Sequence, residues 1–174
     1  MVAENAIKGL QLAKAKQLNL EAITSGLQEL KDRLKLSKAP SRIEAYDISN
    51  IQGTLAVGSR VVLEKGLPKP AYYRRFRIKT VPNADDYAMM REMLRRRFKR
   101  AAIARSDVSQ SPEHSEEDEA ISQKDNWAIM PDLILIDGGK GHLNAVLELR
   151  HDLGIGSIAI ASLAKENEEV FIPG

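Results

Sequence analysis

The sequence predicts an α/β protein built on one mixed sheet: a helix, a three-strand antiparallel meander, then strands and helices in alternation. Three observations predict it. Apolar residues recur at helical spacing before Pro40. Short strand-like runs bounded by turn residues follow one another between Arg42 and Lys79. Beyond Asp85, helical patterns alternate with apolar strands.

The elements follow in order. Residues near Asn5 to Leu36 read as a helix, because Ile23, Leu27, Leu30 and Leu34 share one face, and Pro40 stops it. Arg42–Ser49 reads as a strand. Gly53 marks a turn, and Leu55–Leu63 is a second strand. Lys65–Pro70 is expected to be a loop. Ala71–Lys79 is a third strand, with Tyr73, Arg75 and Arg77 on one face and Tyr72, Arg74, Phe76 and Ile78 on the other. Asn83 is the expected N-cap of a helix running from Asp85 to about Ala104, with Asp85 and Asp86 in the first turn. Leu133–Ile136 is a fourth strand. A helix from Lys140 to Leu153 closes at Gly154. Ile158–Ala161 is a fifth strand and Val170–Ile172 a candidate sixth. We therefore expect a helical segment at 1–39 and an α/β domain at 40–174. Ser106–Gln123, polar and acidic, reads as a disordered insertion, placed at about 105–126.

Composition narrows the function. With 174 residues the chain can bury a substantial core. It has no cysteine, which excludes disulfides, thiolate zinc sites and cysteine nucleophiles. No apolar run reaches membrane-spanning length, and the first residues lack a secretory pattern. A cytoplasmic protein with no membrane partner is expected. The net charge of +2 hides a division: Ser106–Asn126 carries −6, leaving +8 on the rest, which suits a polyanion.

Two carboxylates carry the strongest hint of chemistry. Asp47 lies in the first strand, and Asp137 ends the run Pro131–Asp137 before Gly138-Gly139-Lys140-Gly141. Each read alone also fits a turn-capping aspartate. As a pair on neighbouring strands they would repel, and a divalent cation relieves the repulsion. The order of elements permits that neighbourhood, and the ribonuclease H-like fold has such an order. Asp86 is a possible third carboxylate, against the alternative that it only complements the helix dipole. The Gly-Gly-Lys-Gly turn lacks Walker A spacing; Lys140 is a candidate phosphate contact. Ten bases fall between Arg74 and Arg100, among them Arg74, Arg75, Arg77, Arg95, Arg96 and Arg97, with Tyr72, Tyr73, Phe76 and Tyr87 interleaved. Direct contact with a phosphate backbone accounts for part of that set better than surface solvation does.

Five ordered motifs resemble one family. Tyr46-Asp47-Ile48-Ser49-Asn50, Tyr73-Arg74-Arg75-Phe76, Asp85-Asp86-Tyr87-Ala88-Met89-Met90, Arg95-Arg96-Arg97-Phe98 and Leu135–Gly141 are similar to the C-terminal half of UvrC, the bacterial excinuclease subunit. The resemblance implies a ribonuclease H-like endonuclease making the 5′-side incision of nucleotide excision repair. It implies Mg²⁺ or Mn²⁺ as cofactor, damaged double-stranded DNA as substrate, UvrB as partner, and UvrA acting earlier. Asp47 and Asp137 match the family's catalytic, metal-binding aspartates; Asp86 matches a third acidic position. The family's catalytic histidine lies in a segment beyond Gly174, and its helix-hairpin-helix and GIY-YIG modules lie outside this sequence. A fragment with weak or no nuclease activity is therefore the expectation. A catalytically inactive nucleic-acid or partner-binding domain on the same fold is the alternative.

Overall fold

The structure, a computed structural model, describes residues 2–51, 55–81, 85–109, 125–165 and 169–174. Its elements are α1 (Val2–Arg33), β1 (Arg42–Ile51), β2 (Leu55–Glu64), β3 (Leu67–Pro68), a 3-10 turn (Pro70–Tyr72), β4 (Arg74–Arg77), α2 (Asp86–Ser109), α3 (Asp125–Ala128), β5 (Leu133–Asp137), α4 (Lys140–Leu147), β6 (Ala159–Ala164) and β7 (Glu169–Phe171). They build one sheet of order β3-β2-β1-β5-β6-β7, with β4 also paired to β2. The β1–β2, β2–β3, β2–β4 and β6–β7 pairs are antiparallel. The β1–β5 and β5–β6 pairs are parallel. The meander followed by parallel crossovers is the expected architecture, and no described helix is long and apolar enough to cross a membrane.

Several boundaries differ for local reasons. The third predicted strand is shortened to Arg74–Arg77, because Pro70 opens a 3-10 turn in which Tyr72 and Tyr73 donate to the carbonyls of Lys69 and Pro70. Leu67–Pro68, expected as loop, pairs with β2. α2 continues past Ala104 to Ser109, so the first residues of the predicted insertion are helical. Its cap is Asp85, whose carboxylate accepts the Ala88 amide at 2.9 Å. Asn83, the predicted cap, lies outside the described residues, as do Gly53 and positions 110–124 of the predicted insertion, whose last residues, Asp125 and Asn126, open α3. α4 ends at Leu147; the turns after it tighten to i→i+3 bonds, with Leu149 and Arg150 donating to Val146 and Leu147.

Strand alternation gives the sheet two different faces. Tyr46, Phe76, Ile134, Ile136 and Ile160 pack against Met90, Met93, Leu94 and Phe98 of α2 and Leu143 and Val146 of α4. Ile43, Leu133 and Ala161 point the other way, where Leu27 and Leu30 of α1 and Leu34 just after it cover them. The last turns of α1 thus shield only one end of that face, and Val61 and Leu163 further along remain exposed.

One cluster breaks the apolar rule. Glu44 is 0% exposed, Arg97 0% and Arg60 1%. Arg97 forks onto Glu44, Nη2 to Oε1 at 2.9 Å and Nε to Oε2 at 3.1 Å. Tyr46 donates its hydroxyl to Oε2 at 2.6 Å. Arg60 and Arg42 lie 3.6 Å and 3.4 Å from Oε1. One carboxylate faces three guanidinium groups, and other groups take up the excess charge. Arg97 also donates to the carbonyls of Trp127 and Ile129, and Arg60 to that of Tyr72. The Trp127 ring lies 4.8 Å from the Arg60 guanidinium and 5.6 Å from that of Arg97. This arrangement fastens α3 to α2 and, through Glu44, to β1.

Three carboxylates couple stability to pH. Burial alone pulls Glu44 up, but the charge of Arg97, its hydrogen bonds and Arg60 hold it below the ordinary 4.5. Glu92 is likewise raised by burial and lowered further by Thr80 and Lys79, whose amides it accepts at 2.8 Å and 3.0 Å, and by Arg96. Asp132 follows the same pattern: Lys38 and the amides of Arg42 and Ser41 bring it below 3.8. A depressed carboxylate adds stability at pH above its unfolded value and loses it as pH falls toward its folded value. The urea midpoint is therefore expected to hold between pH 7 and about 5 and to fall steadily below 4.5. A midpoint unchanged down to about pH 3 would contradict this linkage.

Candidate active site

Asp47 and Asp137 are brought together by strand register. Tyr46 of β1 pairs with Ile136 of β5, so each aspartate is one residue further along adjacent parallel strands. Asp47 is opposite Ser59 of β2, and Asp137 opposite Leu163 of β6. Ser59, Asp47, Asp137 and Leu163 form one row across the sheet. The row floors an open cleft of about 360 Å³, whose walls add Ala45, Val61, Leu135 and Lys165. Both carboxylates are partly exposed there. Neighbouring strands are about 4.8 Å apart, close enough for one cation to reach both acids.

The turn after Asp137 explains its glycines. Gly138 has φ +146, and a Cβ there would stand 2.4 Å from His142 Nδ1. A Cβ on Gly141 would meet the Tyr87 hydroxyl at 2.5 Å. Tyr87 and His142 pack ring against ring, centroids 4.7 Å apart. These glycines let α4 start immediately under α2, directly after β5 ends on Asp137. The Gly138 amide is already bonded to the Leu163 carbonyl at 2.9 Å.

Lys165, which the sequence reading passed over, is the cation of the cleft. It follows β6 by one residue, and its Nζ pairs with Asp137 Oδ2. Its pKa is raised, first by that hydrogen bond, then by the Asp137 charge, with Asp47 adding to it. Ser49 Oγ donates to Asp47 Oδ2 at 3.2 Å. The donor set is two hard carboxylates at an open, cation-bearing mouth. That fits Mg²⁺ or Mn²⁺, which bind through one or two carboxylates and keep waters or phosphate oxygens in their remaining positions.

The other predicted residues fall in different places. Asp86 is exposed in the first turn of α2, which packs on the opposite sheet face, and it does not line the cleft. Among the described residues no group of three or more His, Cys, Asp or Glu is placed to hold a metal. Arg97 requires a correction: it is buried on Glu44 and cannot reach a phosphate backbone. Arg74 and Arg96 are half-buried; Arg74 donates to the carbonyls of Ala71 and Tyr73, and Arg96 to Arg77 and Glu92. Arg75, Arg77, Arg95 and Lys140 are exposed. Glu44 and Arg60 carried a readable signal, since Arg42, Glu44 and Tyr46 alternate onto one strand face.

Residues 31–173 match the UvrC RNAse H endonuclease domain. UvrABC system protein C of Dehalococcoides mccartyi is 48% identical over 174 residues, covering 99% of this chain and 26% of that protein. Its counterpart in Clostridium tetani is 46% identical over 168 residues, covering 96% and 26%. That of Synechococcus elongatus is 40% identical over 179 residues, covering 100% and 27%. The chain thus spans about a quarter of the length of these relatives. A solved structure of Ciona intestinalis endonuclease V is similar at a TM-score of 0.44 and 16% identity, over 84% of this chain and 57% of that one.

Proposed function

The chain belongs to the UvrC RNAse H endonuclease domain family, and from that premise we propose that it makes the 5′-side incision of nucleotide excision repair by metal-dependent phosphodiester hydrolysis. The observation that carries the reading is the placement of Asp47, within β1, and Asp137, at the end of β5, side by side on adjacent parallel strands on the floor of an open cleft. These two residues would hold Mg²⁺ or Mn²⁺, which when bound supplies an activated water and neutralises charge on the scissile phosphate. β1 and β5 fix the spacing of the carboxylates. Ser49 orients that of Asp47. Arg75, Arg77, Arg95 and Lys140, exposed around the same domain, are the side chains free to meet a DNA backbone. Damaged double-stranded DNA is the substrate of this reading, UvrB the partner with UvrA acting earlier, and the cytoplasm the place of action.

A strand-specific nicking assay with full-length UvrABC system protein C carrying this domain tests it. The 5′ nick is expected with Mg²⁺ or Mn²⁺, to vanish in EDTA, and to return when metal is restored. Undiminished 5′ nicking in EDTA would overturn the metal mechanism. Metal-insensitive DNA binding with no 5′ nick under any condition would leave a binding module on the same fold.

A further inference from the structure

Lys165 occupies the position a metal ion would compete for. Two carboxylates on neighbouring strands repel, and something positive must stand between them or beside them. Here it is an ammonium: Lys165 Nζ bonds Asp137 Oδ2, in a cleft lined by both aspartates and, among its lining residues, by no other cation. The Lys165 side chain is 70% exposed, so burial does not hold it there. Nor does a second anchor, since Asp137 is the only hydrogen-bond partner of its ammonium among the described residues. A lysine ammonium is a compact charge on a flexible four-carbon stem and can withdraw into solvent without disturbing the fold.

We propose that Lys165 is a positioning residue for this site: its ammonium neutralises the carboxylate pair when no metal is bound, and yields Asp137 when a divalent cation arrives. The inference rests on the two-carboxylate metal reading above and adds a regulator to it. The same oxygen, Asp137 Oδ2, cannot serve ammonium and metal together at full strength. Lys165 therefore weakens metal affinity while offsetting the repulsion between the two carboxylates when no metal is bound. It makes occupancy depend on the free cation concentration.

Mn²⁺ titration of this chain, followed by the electron paramagnetic resonance of free Mn²⁺, tests the proposal. Lys165→Met is expected to bind Mn²⁺ roughly two- to fivefold tighter than the unsubstituted chain, the span that losing one exposed ion pair permits. Lys165→Arg keeps the charge and is expected to bind as the unsubstituted chain does. Lys165→Gln gives a second uncharged variant, and circular dichroism verifies that each is folded. The melting temperature supplies an independent readout: the gap between EDTA and Mn²⁺ is expected to widen in Lys165→Met. Equal affinities in Lys165→Met, Lys165→Gln and the unsubstituted chain, all abolished by Asp137→Asn, overturn the role of Lys165 and leave the metal site standing. Binding that Asp137→Asn does not weaken removes the metal site itself, and this inference with it.

Discussion

Glu44→Ala is expected to destabilise the domain by about 3–5 kcal/mol, the cost of leaving buried charges without their partner. Glu44 is the carboxylate that Arg97, Arg60 and Arg42 share. Arg42 retains Glu64 at 2.5 Å when Glu44 is removed. Arg97 keeps two carbonyls, and Arg60 keeps one carbonyl and the Trp127 ring. Arg60 is the weak point. Its Nε and Nη1 have no hydrogen-bond partner even with Glu44 present. Burial already lowers its pKa, against which the charge of Glu44 acts first. Because a domain is stable by only about 5–15 kcal/mol, a loss of that size removes a large fraction of the total and shifts the unfolding midpoint well down. Glu44→Gln keeps the shape and loses the charge, and is expected to fall between. Glu44→Leu combined with Arg97→Met removes both members of the closest pair and is expected to recover part of the loss. Urea unfolding at pH 7 measures all four proteins. A Glu44→Ala midpoint close to that of the unsubstituted chain would sink the account.

That cluster also shows where the sequence misleads. Arg95, Arg96 and Arg97 are consecutive, and composition treats them as one basic run. A helix turns about 100° per residue, so three neighbours cannot share an environment. Arg95 points to solvent, Arg96 lies across Glu92 and the Arg77 carbonyl, and Arg97 enters the core. Arg97 falls on the inward face of α2 with Met90, Met93, Leu94 and Phe98, but its partner there, Glu44, is 53 positions away in sequence. No local pattern names that partner, and a run of three arginines read by composition hides the helix phase. The aspartates were legible for the opposite reason. Each sits in or at the end of an apolar strand, the order of elements permits those strands to be neighbours, and the structure pairs them. Lys165 was not legible, because a lone lysine after a strand reads as surface charge until β6 is known to lie beside β5. Helix and strand existence came through the sequence well. Boundaries moved where a single side chain or proline decided them: Asp85 at the start of α2, Pro70 before β4.

The largest functional effect is expected at the pair itself. In full-length UvrABC system protein C carrying this domain, Asp47→Asn and Asp137→Asn are each expected to slow the 5′ nick by roughly 10²–10³-fold or more, the range for losing one group that stabilises transition-state charge. Asparagine preserves volume, and in place of Asp47 it still accepts the hydrogen bond from Ser49 Oγ. The substitution therefore isolates charge from shape. Stability should change little, because both side chains are partly exposed and removing one charge also removes the repulsion between them. DNA affinity should hold, since neither residue belongs to the exposed bases. The double variant should be scarcely worse than either single one, because two ligands of one cation act as a unit. Asp86→Asn supplies the contrast. α2 carries Asp86 away from the cleft, so its substitution is expected to cost much less than either of the pair. Single-turnover nicking on an end-labelled damaged duplex, with binding measured in parallel, decides among these outcomes. Near-normal 5′ nicking by either Asp47→Asn or Asp137→Asn would show that the chemistry does not run through this cleft.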